Sequence, residues 1–271
     1  GVPGIAKTLT AKLLAQTIST HFSRIQFTPD LMPSDVIGTS VFHPASGNFV
    51  FRKGPVFSNI VLIDEINRAP AKTQSALFEV MEERQVSYDG ITYSFDFPFL
   101  VLATQNPVDH EGTYRLPEAQ LDRFMFKIDI TYPTAAEELQ VLELKSNPAS
   151  SQLENVQAVL SPDDITNFRK LVAQVHIEPR VKEYIVAIVG ATRNHPFLYL
   201  GASPRPSLAL LHASKALAAL RGKDFVVPED IQELALPVLR HRIILSPEKE
   251  MEGLTNDEVI RQIVRKIEVP R

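Results

Sequence analysis

Apolar residues Leu9, Leu13, Leu14 and Ile18 recur at the spacing of one helix face, so a helix opens close to the start of the chain. Arg24 to Thr28 alternates instead, with Ile25 and Phe27 on one side, and predicts a strand. Leu31 to Ile37 predicts a short helix. From Phe42 to Phe51, aromatic and β-branched residues flank Pro44-Ala45-Ser46-Gly47-Asn48, which predicts a small hairpin. Phe49 and Phe51 are either core or an exposed contact, and composition favours core. Ile60-Val61-Leu62-Ile63 is unbroken apolar sequence after Asn59, the pattern of a strand buried on both faces in a parallel sheet. A helix follows over residues 72–84, with Leu77, Phe78 and Met81 inward. Asp89-Gly90 between β-rich flanks predicts a second hairpin over Val86 to Tyr93. Phe99 to Asn106 is another buried strand. Glu118 to Arg123 reads as a short helix, and Met125 to Ile130 as a further strand.

The pattern changes from Thr134 onward. Thr134 with Glu137 forms a capping box, and no convincing buried strand follows. Ser161-Pro162-Asp163-Asp164 caps the next helix. Ser203-Pro204-Arg205-Pro206 opens another, with Leu208, Leu211 and Leu217 expected to face a core. Thr255 with Glu258 caps a last helix, whose Ile260, Ile263, Val264 and Ile267 point inward. Residues 147–151 read as a loop. Two domains result, an α/β domain over residues 1–133 and a helical domain over 134–271, and a length of 271 residues agrees with that number.

Composition narrows the function classes. Hydrophobic residues make up 44% and charged residues 22%, as in soluble globular proteins. There is no cysteine, which excludes disulfides and thiolate metal sites and suits a reducing cytoplasm. No apolar run reaches the ~18 residues of a membrane span. The formal net charge of −4 lacks the basic bias of a nucleic-acid binder.

The chemistry begins at the first residue. Gly1-Val2-Pro3-Gly4-Ile5-Ala6-Lys7-Thr8 follows the phosphate-loop pattern G-x-x-x-x-G-K-[ST], except that Ala6 replaces the last glycine. Glycines let successive backbone N–H groups curl around phosphates, and the helix that follows favours the anion at its N-terminus. Lys7 would meet the β/γ-phosphates and the Thr8 hydroxyl would ligate Mg²⁺. The plainer reading is a Gly/Pro turn before a lysine. A phosphate loop joins a strand to a helix, so a first strand is expected upstream of Gly1. Asp64 and Glu65 end the most buried strand, at the edge where open α/β sheets bind ligands. Asp64 fits a second Mg²⁺ anchor, and Glu65 fits the base that orients an attacking water. Two solvated acids at a strand end are the alternative. Asn106 either positions that water or simply starts a turn with Pro107. Arg123, at a helix end, is satisfied by the helix dipole alone. The histidines show no metal-ligand spacing, and His241 reads as a surface or packing residue.

Five ordered stretches carry a resemblance: Gly1 to Thr8, Asp64-Glu65-Ile66-Asn67-Arg68, Ala103-Thr104-Gln105-Asn106-Pro107, Leu116 to Phe124, and Gly201-Ala202-Ser203-Pro204-Arg205. Together they resemble the MoxR family of AAA+ ATPases, over almost the whole chain, and that family's own loop carries alanine where Ala6 stands. The resemblance implies a parallel-sheet P-loop AAA+ core with a helical lid, and assembly into a ring, usually hexameric. It implies ATP and Mg²⁺ as cofactors. By motif position, Lys7 and Thr8 resemble the Walker A pair, Asp64 and Glu65 the Walker B pair, Asn106 sensor 1 and Arg205 sensor 2, reaching the nucleotide from the lid. Arg123 matches an arginine finger completing a neighbouring subunit's site. The Phe42 to Phe51 segment resembles a helix-2 insert, and the Asp89-Gly90 hairpin a pre-sensor-1 hairpin. The resemblance further implies chaperone-like remodelling of protein clients, beside partners that carry a von Willebrand factor A domain.

Two other classes compete with a protein remodeller. A DNA-acting motor would want basic residues on its hairpins, yet between Val86 and Phe97 the only charges are Asp89 and Asp96. A nucleotide-dependent scaffold without turnover would not need both Glu65 and Asn106.

Overall fold

The structure is a computed structural model, described over residues 6–45, 47–105, 116–146 and 156–270. In chain order the first half contains α1 (Lys7–Thr17), β1 (Phe22–Gln26), α2 (Pro33–Ile37), β2 (Gly38–His43), β3 (Asn48–Lys53), β4 (Ile60–Asp64), α3 (Ala71–Glu83), β5 (Gln85–Tyr88), β6 (Ile91–Ser94) and β7 (Leu100–Ala103). Then come α4 (Glu118–Leu121), α5 (Ala135–Ser146), α6 (Pro162–Gln174), α7 (Pro179–Arg193), β8 (Leu198–Leu200), α8 (Arg205–Leu220), α9 (Pro228–Leu239), β9 (Ile244–Leu245), α10 (Pro247–Met251) and α11 (Asn256–Lys266).

The chain divides into two compact units. Residues 1–115 with 129–166 form one, and 116–128 with 167–271 form the other. The boundary expected at 133/134 is therefore replaced by two crossings of the chain. The reason lies in residues 122–127, whose backbone groups bond to the end of α9 and the turn after it: the Lys127 N–H donates to Pro237 O at 2.8 Å, and Arg242 donates to three carbonyls of this stretch. The same bonds correct the strand expected over Met125 to Ile130. No strand forms there, and Met125, Ile128 and Ile130 are exposed.

In the first unit β1, β4 and β7 form a parallel sheet with β4 in the centre. Every residue of β4 is buried, as its unbroken apolar run requires. Ile25 and Phe27 are buried, as their alternation predicts. On α3, Leu77, Phe78 and Val80 are buried, while Met81 is only half-buried.

The two expected hairpins are β2–β3 and β5–β6. Gly38 starts the first with φ +112, and a Cβ there would lie 2.2 Å from Arg52 O; only glycine permits that closure. Phe51 contacts Tyr88 and Tyr93 at ring-centroid distances of 4.8 and 4.7 Å, tying the two hairpins together. Phe49, at 71% exposed, projects into solvent beside Phe42, so core and contact are divided between the two phenylalanines.

The second unit is mainly helical. Tyr184, Ile188, Leu210, Ile231, Val238, Leu239, Ile260 and Ile263 belong to its apolar core. Val264 and Ile267 pack against that core, as α11's periodicity predicts. On α8 the expected face is rotated. Leu208 is 59% exposed, Leu211 and Leu217 are half-buried, and Ala209, Leu210, Ala213 and Ala218 are inside. Small alanines let neighbouring helices approach closely, so the buried stripe does not follow the leucines. A two-stranded ribbon of β8 and β9 also lies within this unit, where no strand is expected from sequence. The capping boxes at Thr134–Glu137, Ser161–Asp164 and Thr255–Glu258 all form.

Candidate active site

In the first unit, residues 18–21 connect α1 directly to β1, so α1 runs antiparallel to that strand. Its N-terminus therefore lies at the C-terminal edge of the sheet, the edge where β4 ends in Asp64. α1 also packs against β4. Ala6, its N-cap, is left-handed at φ 57, ψ 23. A Cβ makes that conformation cost about 1–2 kcal/mol, which is why glycine is usual at this position of the motif. Lys7 and Thr8 follow in the first turn. Gly1, Val2, Pro3, Gly4 and Ile5 lie outside the described residues, as does Asn106.

Asp64 is 8% exposed, and both of its oxygens are engaged. Arg24 Nε donates to Oδ2 at 2.6 Å, and Thr104 Oγ1 donates to Oδ1 at 3.2 Å. Glu65 adopts the left-handed region at φ 56, ψ 52. For a non-glycine residue this costs of order 1–3 kcal/mol and persists only when the surroundings over-determine it. Thr104 supplies part of that determination. Its Oγ1 accepts the Glu65 N–H at 3.0 Å, and its carbonyl accepts the Ile66 N–H at 3.0 Å. Gln26 Nε2 and Arg68 Nη1 both donate to Glu65 Oε2 at 2.8 Å. Backbone turn and carboxylate are thus each held from two sides.

Arg24, Gln26 and Thr104 are site residues that the sequence reading passes over. The signal was present for two of them: Arg24 and Gln26 alternate with Ile25 and Phe27, so they share the opposite face at the C-terminal end of β1. Parallel register then sets Gln26 level with Asp64.

The second unit brings Arg123 and Arg205 to one carboxylate. Arg205 opens α8, and its N–H donates to Ser203 Oγ at 3.1 Å. Ser203 Oγ in turn donates to Asp122 Oδ2 at 2.7 Å, and Arg205 Nη1 lies 3.9 Å from the same oxygen. Arg123 is the next residue in the chain. The approach to α8 is fixed on α7. A Cβ on Gly201 would sit 2.5 Å from Arg193 Cα, while the Ala202 N–H donates to Thr192 Oγ1 at 2.9 Å. His241 is a packing residue. Its Nε2 lies 3.0 Å from Phe124 O, and burial, reinforced by the Arg242 charge, pulls its pKa down to about 4.

Mg²⁺ takes oxygen ligands and keeps several of its waters, so one or two side chains plus substrate phosphates suffice. The Thr8 hydroxyl and the Asp64 carboxylate are such donors. Among the described residues no group of three or more His, Asp or Glu gathers as a self-sufficient cage, which agrees with that donor set.

Residues 1–126 match the model of the ATPase family associated with various cellular activities, and residues 190–263 match an AAA lid domain. The chain is 49% identical to the uncharacterized protein YeaC of Bacillus subtilis, over 99% of this chain and 83% of that one. It is 42% identical to Chaperone MoxR1 of Mycobacterium tuberculosis, over 100% and 73%. A crystal structure of a Cytophaga hutchinsonii protein assigned as an ATPase superposes with a TM-score of 0.92 at 47% identity, covering 100% of this chain and 84% of that one. With a helix opening at Lys7-Thr8 and a paired acid at the end of a buried parallel strand, the chain belongs to the MoxR family of AAA+ ATPases and is a chaperone-like ATPase of that type.

Proposed function

We propose that the chain is a Mg²⁺-dependent ATPase that remodels protein clients as a ring, with Glu65 as the group that orients the attacking water. The observation that carries this reading is the bracketing of Glu65. Its left-handed backbone is held by Thr104, and its carboxylate is held by Gln26 and Arg68, directly after the buried Asp64.

Lys7 and the N-terminal end of α1 bind the phosphate chain by charge and by oriented N–H groups. Thr8 and Asp64 hold the metal, which when bound bridges phosphate oxygens and neutralises developing charge. Glu65 takes the proton of the water it orients. Asn106 assists at the γ-phosphate. Arg205 contributes positive charge from the helical unit, and Arg123 does so toward a neighbouring subunit. Family membership supports ring assembly, with a hexamer as the expected size, and a von Willebrand factor A domain partner. No helix among the described residues is long and apolar enough to cross a membrane, and we place the protein in the cytoplasm.

Glu65→Gln keeps the shape of the side chain and loses the base. ATP should bind with unchanged affinity while turnover falls by roughly 10²-fold or more. Calorimetric titration and a phosphate-release assay on the same sample read the two quantities. Turnover retained in this variant would assign the water to another group.

A further inference from the structure

Arg242 is buried, with its side chain 3% exposed, and it lies away from the Walker-type acids in the other unit. A guanidinium has five N–H donors in a rigid fork, and here all five are used. Nε donates to Asp122 Oδ1 at 2.7 Å. Nη2 donates to Asp122 O at 3.0 Å and to Phe124 O at 2.5 Å. Nη1 donates to Met125 O at 3.1 Å and to Val238 O in its own neighbourhood. Four of the five acceptors therefore belong to residues 122, 124 and 125, on both sides of Arg123. The His241 ring adds a bond to Phe124 O, and the Asp122 carboxylate is shared with Ser203 Oγ.

We propose that Arg242 is a positioning residue for Arg123, holding the turn that carries the arginine finger against the helical unit, with Asp122 as the counterion that lets the clamp be buried. The proposal rests on reading Arg123 as the finger. A side chain that served only the core would pair with one carboxylate; this one spends its donors on the backbone flanking a single residue. Lysine cannot replace it, because an ammonium is a compact point charge with three donors and no planar fork.

A double-mutant cycle on the assembled full chain tests this, with Arg242→Lys, Arg123→Ala and the two combined. Loosening the turn by about 1 Å is expected to lower kcat by roughly 10²-fold, with ATP affinity unchanged. Arg123→Ala should lose more. The combined variant should be no slower than Arg123→Ala alone, because no finger remains to be positioned. Wild-type kcat in Arg242→Lys, or losses that multiply in the double variant, would overturn the proposal. Wild-type turnover in Arg123→Ala would instead overturn the finger reading itself, a distinguishable result. Should Arg242→Lys lose its fold by circular dichroism, Asp122→Asn takes its place. It keeps the shape and an acceptor for Ser203, and it should show a smaller kcat loss that again vanishes in the Arg123→Ala background. Persistence of that loss there would refute the clamp.

Discussion

Glu65, Ala6 and His241 each hold a state that the residue would not choose in isolation, and in each the neighbours explain why. Glu65 and Ala6 take left-handed backbone at the two ends of the putatively reacting group's path no further than their own turns require: one turn ends β4, the other starts α1. His241 is held neutral. Phe124 O can only accept, so Nε2 carries the proton, and Nδ1 is buried without a partner. Its pKa falls from 6.5 to about 4, first through burial, then through the Arg242 and Lys127 charges, against the Phe124 carbonyl and Asp122, which raise it. The sign follows. The unfolded chain takes up this proton near pH 6.5 and the folded chain does not until about 4. The stabilisation is therefore complete above 6.5 and is lost as pH falls toward 4, amounting to about 3 kcal/mol at most. Urea midpoints measured across this window should fall steeply for the wild type. The slope should flatten for His241→Gln, which keeps a donor and cannot titrate. Parallel slopes would mean that other groups govern acid stability.

At the scale of elements, the two hairpins are one packed body because of Phe51. Its ring touches Tyr88 and Tyr93 on the second hairpin and reaches Phe57 at 6.2 Å, and Phe57 stacks on Phe95 at 4.5 Å. Aromatic pairs contribute about 0.5–1.5 kcal/mol beyond the area they bury. Phe51→Leu should therefore destabilise by about 1 kcal/mol, and amide exchange should quicken in both hairpins together. Phe49→Leu should stay within about 0.5 kcal/mol, since that ring is in solvent. Faster exchange confined to β2–β3 in the Phe51 variant would show that the hairpins move separately. The Ser40 hydroxyl adds a weaker tie, donating to Asp89 Oδ2 at 3.3 Å.

At the scale of the whole molecule, the finger reading of Arg123 makes a demand on assembly. Removing an arginine finger costs 10³–10⁵ in rate, about 4–7 kcal/mol in the barrier, and leaves binding nearly intact. An Arg123→Ala subunit keeps its own phosphate loop, and a Lys7→Ala subunit keeps its finger. Each alone should be inactive. Rings mixed from the two, verified by native mass, contain junctions where an intact loop meets an intact finger, and activity should partly return. Verified mixed rings that stay silent, while wild-type doping of either variant restores activity in proportion, would remove Arg123 from the trans position.

Sequence alone determined what depends on near neighbours in the chain. The helix opening at Lys7, the buried β4 with Asp64 and Glu65 at its end, both hairpins and the capping boxes are set by spacings of a few residues, where periodicity and turn chemistry act directly. Tertiary structure decided what depends on residues far apart. Arg24 and Gln26 become partners of Asp64 and Glu65 only through the parallel register of β1 on β4. The buried face of α8 follows its alanines because neighbouring helices pack there, whatever the leucine pattern. Residues 125–130 look like a strand by composition, yet their backbone bonds are taken by Pro237 and Arg242, more than a hundred positions later in the chain. A buried backbone group goes to whichever partner the fold delivers, and local sequence does not name that partner.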